Sequence, residues 1–168
     1  MVLAAFVARA SGADEIRIGS GAELTSIDPH YWSGIPNAQM GRNIFDHLVH
    51  FEEGKLTPAL AASWKALDDF TWEIKLREGV KWHDGSPFTA DDVVFNFERV
   101  PNTGLKQFGG FIGKKEITAI DATTLRIKTP NPNPNVPNDL APWAVVSKKH
   151  AQGAEAPDFN SGKAAVGT

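Results

Sequence analysis

The stretch "LREGVKWHDGSPFTADDVVFNFER", from Leu76 to Arg99, decides the fold of this protein. Its Asp84-Gly85 pair predicts a tight turn, because glycine accepts a positive φ and aspartate bonds to nearby backbone. Thr89 stands three residues before Asp92, a spacing typical of a capping box at a helix N-terminus. The following helix has an apolar face, formed by Val93, Val94, Phe97 and Val100. The stretch therefore predicts a turn and then a capped helix that packs on a core.

The acidic pair in this stretch has a second interpretation, as a catalytic site. Acid–base chemistry needs side chains within hydrogen-bond reach of the same reacting group, whereas Asp91 and Asp92 are adjacent and point in different directions on a helix. Both lie where the helix dipole is positive, which accounts for them without catalysis. His83 could serve as a base or a metal ligand, but a loop histidine more often hydrogen-bonds the backbone. We therefore predict that the stretch is scaffold.

Length and composition indicate one globular domain of 168 residues. Apolar residues make up 42% and charged residues 22%, which argues against a disordered chain or a coiled coil. The net charge of −3, with both signs interspersed, offers no basic surface, so we expect no nucleic-acid partner. The sequence has no cysteine, which excludes disulfides, Cys-ligated zinc, iron–sulfur clusters and thiol catalysis.

The N-terminal segment has features of a secretory signal. An apolar run from Val2 to Ala8 precedes the small-residue stretch "ARASGA", as at the end of a signal peptide, although a basic n-region is absent. We interpret residues 1–13 as a signal-peptide remnant and residues 14–168 as the folded part; an ordinary frayed terminus is the alternative. No apolar run reaches the roughly 18 residues that a membrane-spanning helix needs.

Periodicity predicts the remaining elements. Alternating apolar residues predict strands at 16–18 and 70–76, and a hairpin of 117–120 and 125–127 around a turn at 121–123. Spacings of four, four and three predict one amphipathic helix over 37–51, with a face of Met40, Ile44, Leu48 and Phe51. The segment 56–64 is predicted to be a turn, the proline-rich 130–142 a loop or crossover, and 144–147 a short strand before a helix start. Together these elements predict an α/β fold with an antiparallel or mixed sheet, similar to the α+β class.

Two histidines on the predicted helix raise the question of a metal. His47 and His50 are spaced i, i+3, which would bring them to one helix face. A zinc site needs three or four ligands, and the glutamate of an HExxH motif is missing, so we expect no structural metal and no cofactor. The sequence also lacks a G-x-S-x-G elbow, a P-loop and a G-x-G-x-x-G stretch, so nucleophilic, phosphoryl-transfer and dinucleotide chemistry have no support.

Four segments, in order along the chain, resemble one protein family. They are "SIDPH" at 26–30, "LTPALAASW" at 56–64, "TWEIKLREGVKWHDGSPFTADDVVFNFER" at 71–99 and the terminal "AVGT". They resemble the N-terminal region of the solute-binding proteins of ABC importers, in the group that carries dipeptides, oligopeptides and nickel complexes. The resemblance implies the N-terminal part of lobe I of a type II periplasmic binding protein, incomplete because family members are much longer. The block at 76–99 resembles a scaffold signature of that family.

The resemblance also implies where a solute would bind. In the family, the loop after the first strand faces the cleft between two lobes, and its backbone pairs with an extended peptide by strand addition. The corresponding positions are Ala22, Glu23, Leu24 and Thr25, with Tyr31 and Trp32 as candidate cleft aromatics. The alternative is that these side chains only pack the loop.

The function that the resemblance implies is that of a non-enzymatic receptor. It would lie in the periplasm, bind a peptide or related small solute, and deliver it to an ABC permease in the membrane. Two alternatives stay open: a truncated structural or interaction domain, and a metal-dependent hydrolase that uses His47, His50 and His83. Because only one wall of the cleft would be present, we expect weak solute binding and exposed apolar surface.

Overall fold

Residues 22–31, 34–103 and 114–168 are described by this computed structural model. They form a mixed α/β structure with two antiparallel sheets. The strands are β1 (Val49–Glu52), β2 (Lys55–Pro58), β3 (Ala61–Ala66), β4 (Thr71–Leu76), β5 (Glu116–Asp121) and β6 (Thr124–Lys128). The helices are α1 (Ile35–Gly41), α2 (Ala90–Arg99), α3 (Val136–Leu140), α4 (Lys148–Ala151) and α5 (Ala156–Asn160). The predicted strand at 16–18, the interpreted signal remnant at 1–13 and Trp32 lie outside the described residues.

The larger sheet has the strand order β3-β4-β6-β5, so β4 and β6 are central. Alternation along β4 buries Ile74, which pairs with Leu125 of β6, and both side chains are fully buried. This confirms the predicted strand and the predicted hairpin, now seen as β5 and β6. Ile120 is 48% exposed, because the register of β5 against β6 shifts between Ala119 and Asp121.

The predicted capped helix is α2, which lies against β5 and covers the core. Its Val93 side chain is fully buried, and the 3₁₀ turn Val100–Asn102 continues the same apolar face. Trp82 and Phe88, from the turn that precedes α2, pack edge to face with ring centroids 5.6 Å apart. At ten residues α2 is the longest helix in the described ranges, where no helix has the length and apolar character to cross a bilayer.

The amphipathic helix predicted over 37–51 is confirmed at its start and is wrong beyond Gly41. Helix α1 ends at Gly41, and Val49–Glu52 forms β1, which pairs with β2 across a two-residue turn. Glu53 and Gly54 in that turn have φ of 49° and 79°, as a type I′ hairpin requires. Cross-strand pairing therefore overrides the helical spacing, and His50 lies on a strand. The turn predicted at 56–64 is also wrong, since most of that segment belongs to β2 and β3.

Two further predictions are corrected near the C-terminus. The proline-rich segment contains α3, because Pro137 sits in the first helical turn, where its missing N–H costs nothing. The predicted strand at 144–147 is reduced to a single bridge between Ala144 and His47. The backbone of Val146 bonds instead to the Asn96 side chain, which both donates and accepts at 2.7 and 2.8 Å. The helix predicted after this segment is confirmed as α4.

Candidate functional site

The six predicted ligand-binding residues fall into three groups. Ala22, Glu23 and Leu24 form an exposed loop. Thr25 and Tyr31 are exposed and line an open groove, while Trp32 is outside the described residues. The rest of the groove lining comes from the segment 26–30, from the end of α2 with the 3₁₀ turn after it, and from α5 with its preceding loop. It includes Asp28, Arg99, Asn102, Ala154, Glu155, Pro157 and Asn160.

A buried ion pair forms the floor of this groove. The Arg99 guanidinium donates from Nη1 to Asp28 Oδ1 at 3.1 Å and from Nη2 to Asp28 Oδ2 at 2.7 Å. The two side chains are 9% and 4% exposed. The guanidinium also lies over the Phe159 ring, 4.9 Å from its centroid. Arg99, at the last turn of α2, therefore fixes the loop that carries Asp28.

His30 extends the ion pair into the interior. Its Nε2–H donates to the Ala144 carbonyl at 2.8 Å, so Nδ1 carries the lone pair and accepts from Arg99 Nη1 at 2.8 Å. Burial, with a smaller contribution from the neighbouring guanidinium, lowers the pKa of His30 from 6.5 to about 4. The imidazole is therefore neutral at pH 7, as its bond with Arg99 requires.

The segment "SIDPH" is attached to α5 as well as to α2. The Asn160 carboxamide oxygen accepts from the Ile27 amide at 2.8 Å and from the Ser26 hydroxyl at 3.3 Å. The Ser26 hydroxyl accepts in turn from the Asp28 amide at 3.0 Å. This segment was identified only by family resemblance. In the structure its polar side chains form a buried hydrogen-bond network, which holds the loop 22–25 against α2 and α5. Sequence reasoning missed its partners Arg99 and Asn160.

Two residues of the loop, Glu23 and Leu24, present backbone groups that are unpaired within the described residues. The Thr25 backbone amide donates to Asn37 Oδ1 at 3.1 Å, and the Asn37 side chain donates from Nδ2 to the Thr25 hydroxyl at 2.9 Å. The backbones of Glu23 and Leu24 make no hydrogen bond to any residue in the described ranges. Anchored at Thr25, the loop is an edge that an extended chain could join by main-chain hydrogen bonds.

Asp92 acts as a scaffold residue, as the sequence predicted. Its buried carboxylate accepts from the Thr89 amide at 3.0 Å, from the Lys148 amide at 3.0 Å and from Trp82 Nε1 at 3.4 Å. One side chain thus caps α2, holds the first residue of α4 and positions the core tryptophan. The neighbouring Asp91 is exposed, so the two carboxylates do not share a site.

The turn before α2 is held by similar contacts. The Asp84 carboxylate accepts from Lys149 Nζ at 2.7 Å and from His150 Nε2 at 2.9 Å, and these bonds, led by that of His150, hold its pKa well below the usual range. His83 exchanges hydrogen bonds with the Gly167 backbone, which confirms it as a loop histidine that bonds backbone. These contacts fasten the turn to α4 and to the "AVGT" segment.

The three histidines of the hydrolase alternative are not placed to hold one ion together within the described residues. His47 and His50 lie close, with ring centroids 5.9 Å apart, although they are on a strand and its approach and not on a helix. Across 22–31, 34–103 and 114–168, no three His, Asp or Glu side chains are placed to hold one ion. The geometry supports a scaffold that presents an exposed loop and a groove.

Comparison with known families identifies this scaffold. Residues 55–168, which include the whole 76–99 block, match the family described as "Bacterial extracellular solute-binding proteins, family 5 Middle". The chain belongs to this family. It is 34% identical over 142 residues to the periplasmic murein peptide-binding protein MppA of Escherichia coli, covering 73% of this chain and 26% of that protein. It is 35% identical over 135 residues to the E. coli periplasmic oligopeptide-binding protein OppA, covering 68% of this chain and 25% of OppA.

Solved structures share the fold of this solute-binding protein. Haemophilus influenzae OppA in complex with RPPGFSPFR superposes with a TM-score of 0.76 at 26% identity, over 88% of this chain and 33% of that one. The E. coli murein tripeptide-binding protein MppA superposes with a TM-score of 0.74 at 27% identity, over 84% of this chain and 32% of that one. The predicted fold, a portion of a type II periplasmic binding protein, is confirmed. The chain spans about a quarter of the length of the curated relatives it matches.

Proposed function

We propose that this protein provides one wall of the binding cleft of a substrate-binding component of a peptide-type ABC importer. The observation that carries the proposal is the family match over 55–168, joined to relatives named as periplasmic peptide-binding proteins. Its working place is the periplasm, its partner is an ABC permease in the membrane, and it carries out no reaction. The solute is a peptide or a related small molecule.

The binding edge in this proposal is the exposed loop 22–25 with Tyr31 and the groove beside it. Strand addition needs free N–H and C=O groups on an anchored backbone. Glu23 and Leu24 supply backbone groups with no partner in the described part of the chain, and the bonds between Thr25 and Asn37 supply the anchor. Tyr31, with 47% of its surface exposed, is available to stack on a side chain of the solute.

The charge of the groove limits what this wall can recognise. Arg99 is the one cationic side chain among the described groove residues, and its guanidinium is already bidentate to Asp28. A solute carboxylate would have to break that buried pair, which costs several kcal/mol. This wall therefore recognises the main chain and the apolar side chains of a peptide, and terminal carboxylates bind elsewhere.

The proposal is tested by calorimetric titration of the chain with dipeptides, tripeptides and longer peptides at millimolar concentration. We expect weak, saturable binding, because one wall supplies only part of the contacts that offset association entropy. Leu24→Ser is expected to weaken it at least about threefold through loss of apolar contact.

The matched control is Leu67→Ser, since Leu67 is 44% exposed against 37% for Leu24 and lies in the β3–β4 turn. The Leu67→Ser variant should bind peptide with the affinity of the wild type. Equal effects of the two substitutions, or no heat with any peptide, would count against the binding edge at 22–25.

A further inference from the structure

A second groove, separate from the loop 22–25, contains two histidines that the proposed function does not use. His47 and His50 both line it, together with Phe51, Ala141 and Pro142. Its charged lining consists of the carboxylates of Asp46 and Glu52 and the guanidinium of Arg42. The charged side chains thus sum to −1, which favours a cation over an anion.

His47 is held in the form that a metal ion needs. Its Nδ1–H donates to the Ala141 carbonyl at 2.8 Å, and since a carbonyl only accepts, Nε2 of the neutral ring carries the lone pair. An N–H bond to a backbone carbonyl is the usual way in which a metal-binding histidine is oriented.

The backbone around the pair is fixed as well. His47 forms a bridge with Ala144, and its carbonyl accepts from the Leu60 amide at 3.1 Å. His50 lies on β1 and pairs with Thr57 of β2. The two rings are therefore presented from ordered backbone, and binding does not need to order a loop.

The distance between the rings fits a shared ion. An imidazole nitrogen lies about 2.0–2.1 Å from zinc, which places two rings on one ion with centroids about 5–6.5 Å apart between tetrahedral and linear angles. The observed separation is 5.9 Å. We propose that His47 and His50 form a two-imidazole site for a borderline divalent metal, Cu²⁺, Ni²⁺ or Zn²⁺, with water in the remaining positions.

The choice among cations follows from the donors. Imidazole suits copper, nickel and zinc, whereas Mg²⁺ and Ca²⁺ prefer oxygen ligands in larger number. In the described ranges no third His, Asp or Glu is placed to complete the site, so the affinity should be modest and should rank Cu²⁺ above Ni²⁺. The site is independent of the proposed peptide binding, which involves a different groove.

The test is calorimetric titration of the untagged chain with CuCl₂ and NiCl₂ in a non-chelating buffer at pH 7. We expect one equivalent to bind, and His50→Gln to weaken binding at least about tenfold. The control is His83→Gln, which removes an exposed histidine that lies outside the groove lining and should leave the affinity unchanged. A His50→Gln variant that binds like the wild type would overturn the proposal.

A second measurement needs no variant. The electron paramagnetic resonance spectrum of the wild-type chain with one equivalent of Cu²⁺ should show coupling to two imidazole nitrogens. Coupling to one imidazole, or to none, would contradict the shared site even if copper binds. In the absence of metal, His50→Gln should leave the peptide titration unchanged, because the two grooves have no lining residue in common.

Discussion

At the scale of residues, His30 makes the stability of this protein depend on pH. Its pKa is about 4 in the folded chain and 6.5 in its unperturbed form, so the unfolded chain takes up the proton first as the pH falls. The free energy of unfolding should therefore fall between about pH 6.5 and pH 4 and stop changing through this residue below pH 4. The difference between the two pKa values corresponds to about 3 kcal/mol. Urea unfolding at a series of pH values from 4 to 7.5 measures this change in the free energy of unfolding.

The control for His30 separates titration from packing. His30→Gln should be less stable at pH 7 and should lose the part of the pH dependence that His30 contributes in that window. The part from His47, whose pKa burial also lowers, should remain, and His83→Gln should keep the wild-type dependence. An NMR titration of the His30 ring in the wild type checks the same point without a variant. A ring that protonates near pH 6.5 in the folded chain would refute this account of the network.

Gly167 shows why a side chain is not tolerated in the "AVGT" segment. A Cβ at this position would overlap the carbonyl oxygen of Ile44, which is backbone and cannot rotate away. The Gly167 carbonyl also accepts a hydrogen bond from the His83 amide at 2.8 Å. Gly167→Ala should lower the free energy of unfolding by about 1–3 kcal/mol. Gly41→Ala, in α1, where an added methyl group would meet open space, should be neutral or slightly stabilising, by up to about 1 kcal/mol.

At the scale of elements, Asp92 connects α2 to α4 and to the turn that carries Trp82. Asp92→Ala would leave the amides of Thr89 and Lys148 without their acceptor, and we expect a loss of about 2–4 kcal/mol in urea unfolding. Asp91→Ala is the matched control in the same helical turn and should change stability by less than about 1 kcal/mol, since its side chain is exposed. Equal losses for the two variants would show that Asp92 does not join α2 to α4.

The elements that the sequence predicted correctly carry their own local signals. Helix α2 has its capping box, β4 alternates strictly, and the β5–β6 hairpin has a short polar turn. The helix predicted over 37–51 was wrong beyond Gly41 because β1 is defined by its partner β2, and spacing in one segment does not reveal a partner. The turn at Glu53-Gly54 was the available signal, since an X-Gly pair between two short apolar runs is typical of a hairpin.

At the scale of the whole molecule, the candidate site was predictable only in part. Family resemblance located the loop 22–25 and Tyr31, and the structure shows them exposed. The residues that hold this loop in place could not be predicted, because Arg99 lies 71 residues from Asp28 in sequence, and Asn160 lies 134 residues from Ser26. Neither separation leaves a periodic pattern, so only the folded chain brings these residues together.

Exposed apolar side chains predict how the isolated chain behaves. Ile35 is 74% exposed and Phe51 is 62% exposed, so neither side chain is part of the core. We expect concentration-dependent self-association in sedimentation velocity, and we expect the double substitution Ile35→Ser and Phe51→Ser to reduce it. A monodisperse wild-type monomer at millimolar concentration would contradict this expectation.

The central claim is that the backbone of Glu23 and Leu24 is the edge on which a peptide adds as a strand. Amide hydrogen exchange measured by NMR, with and without saturating peptide, tests it most directly. We predict that the amide of at least one of these residues exchanges at least about tenfold more slowly with peptide bound, while the amides of the β3–β4 turn do not change. Unchanged exchange at both residues under saturating peptide would contradict the claim.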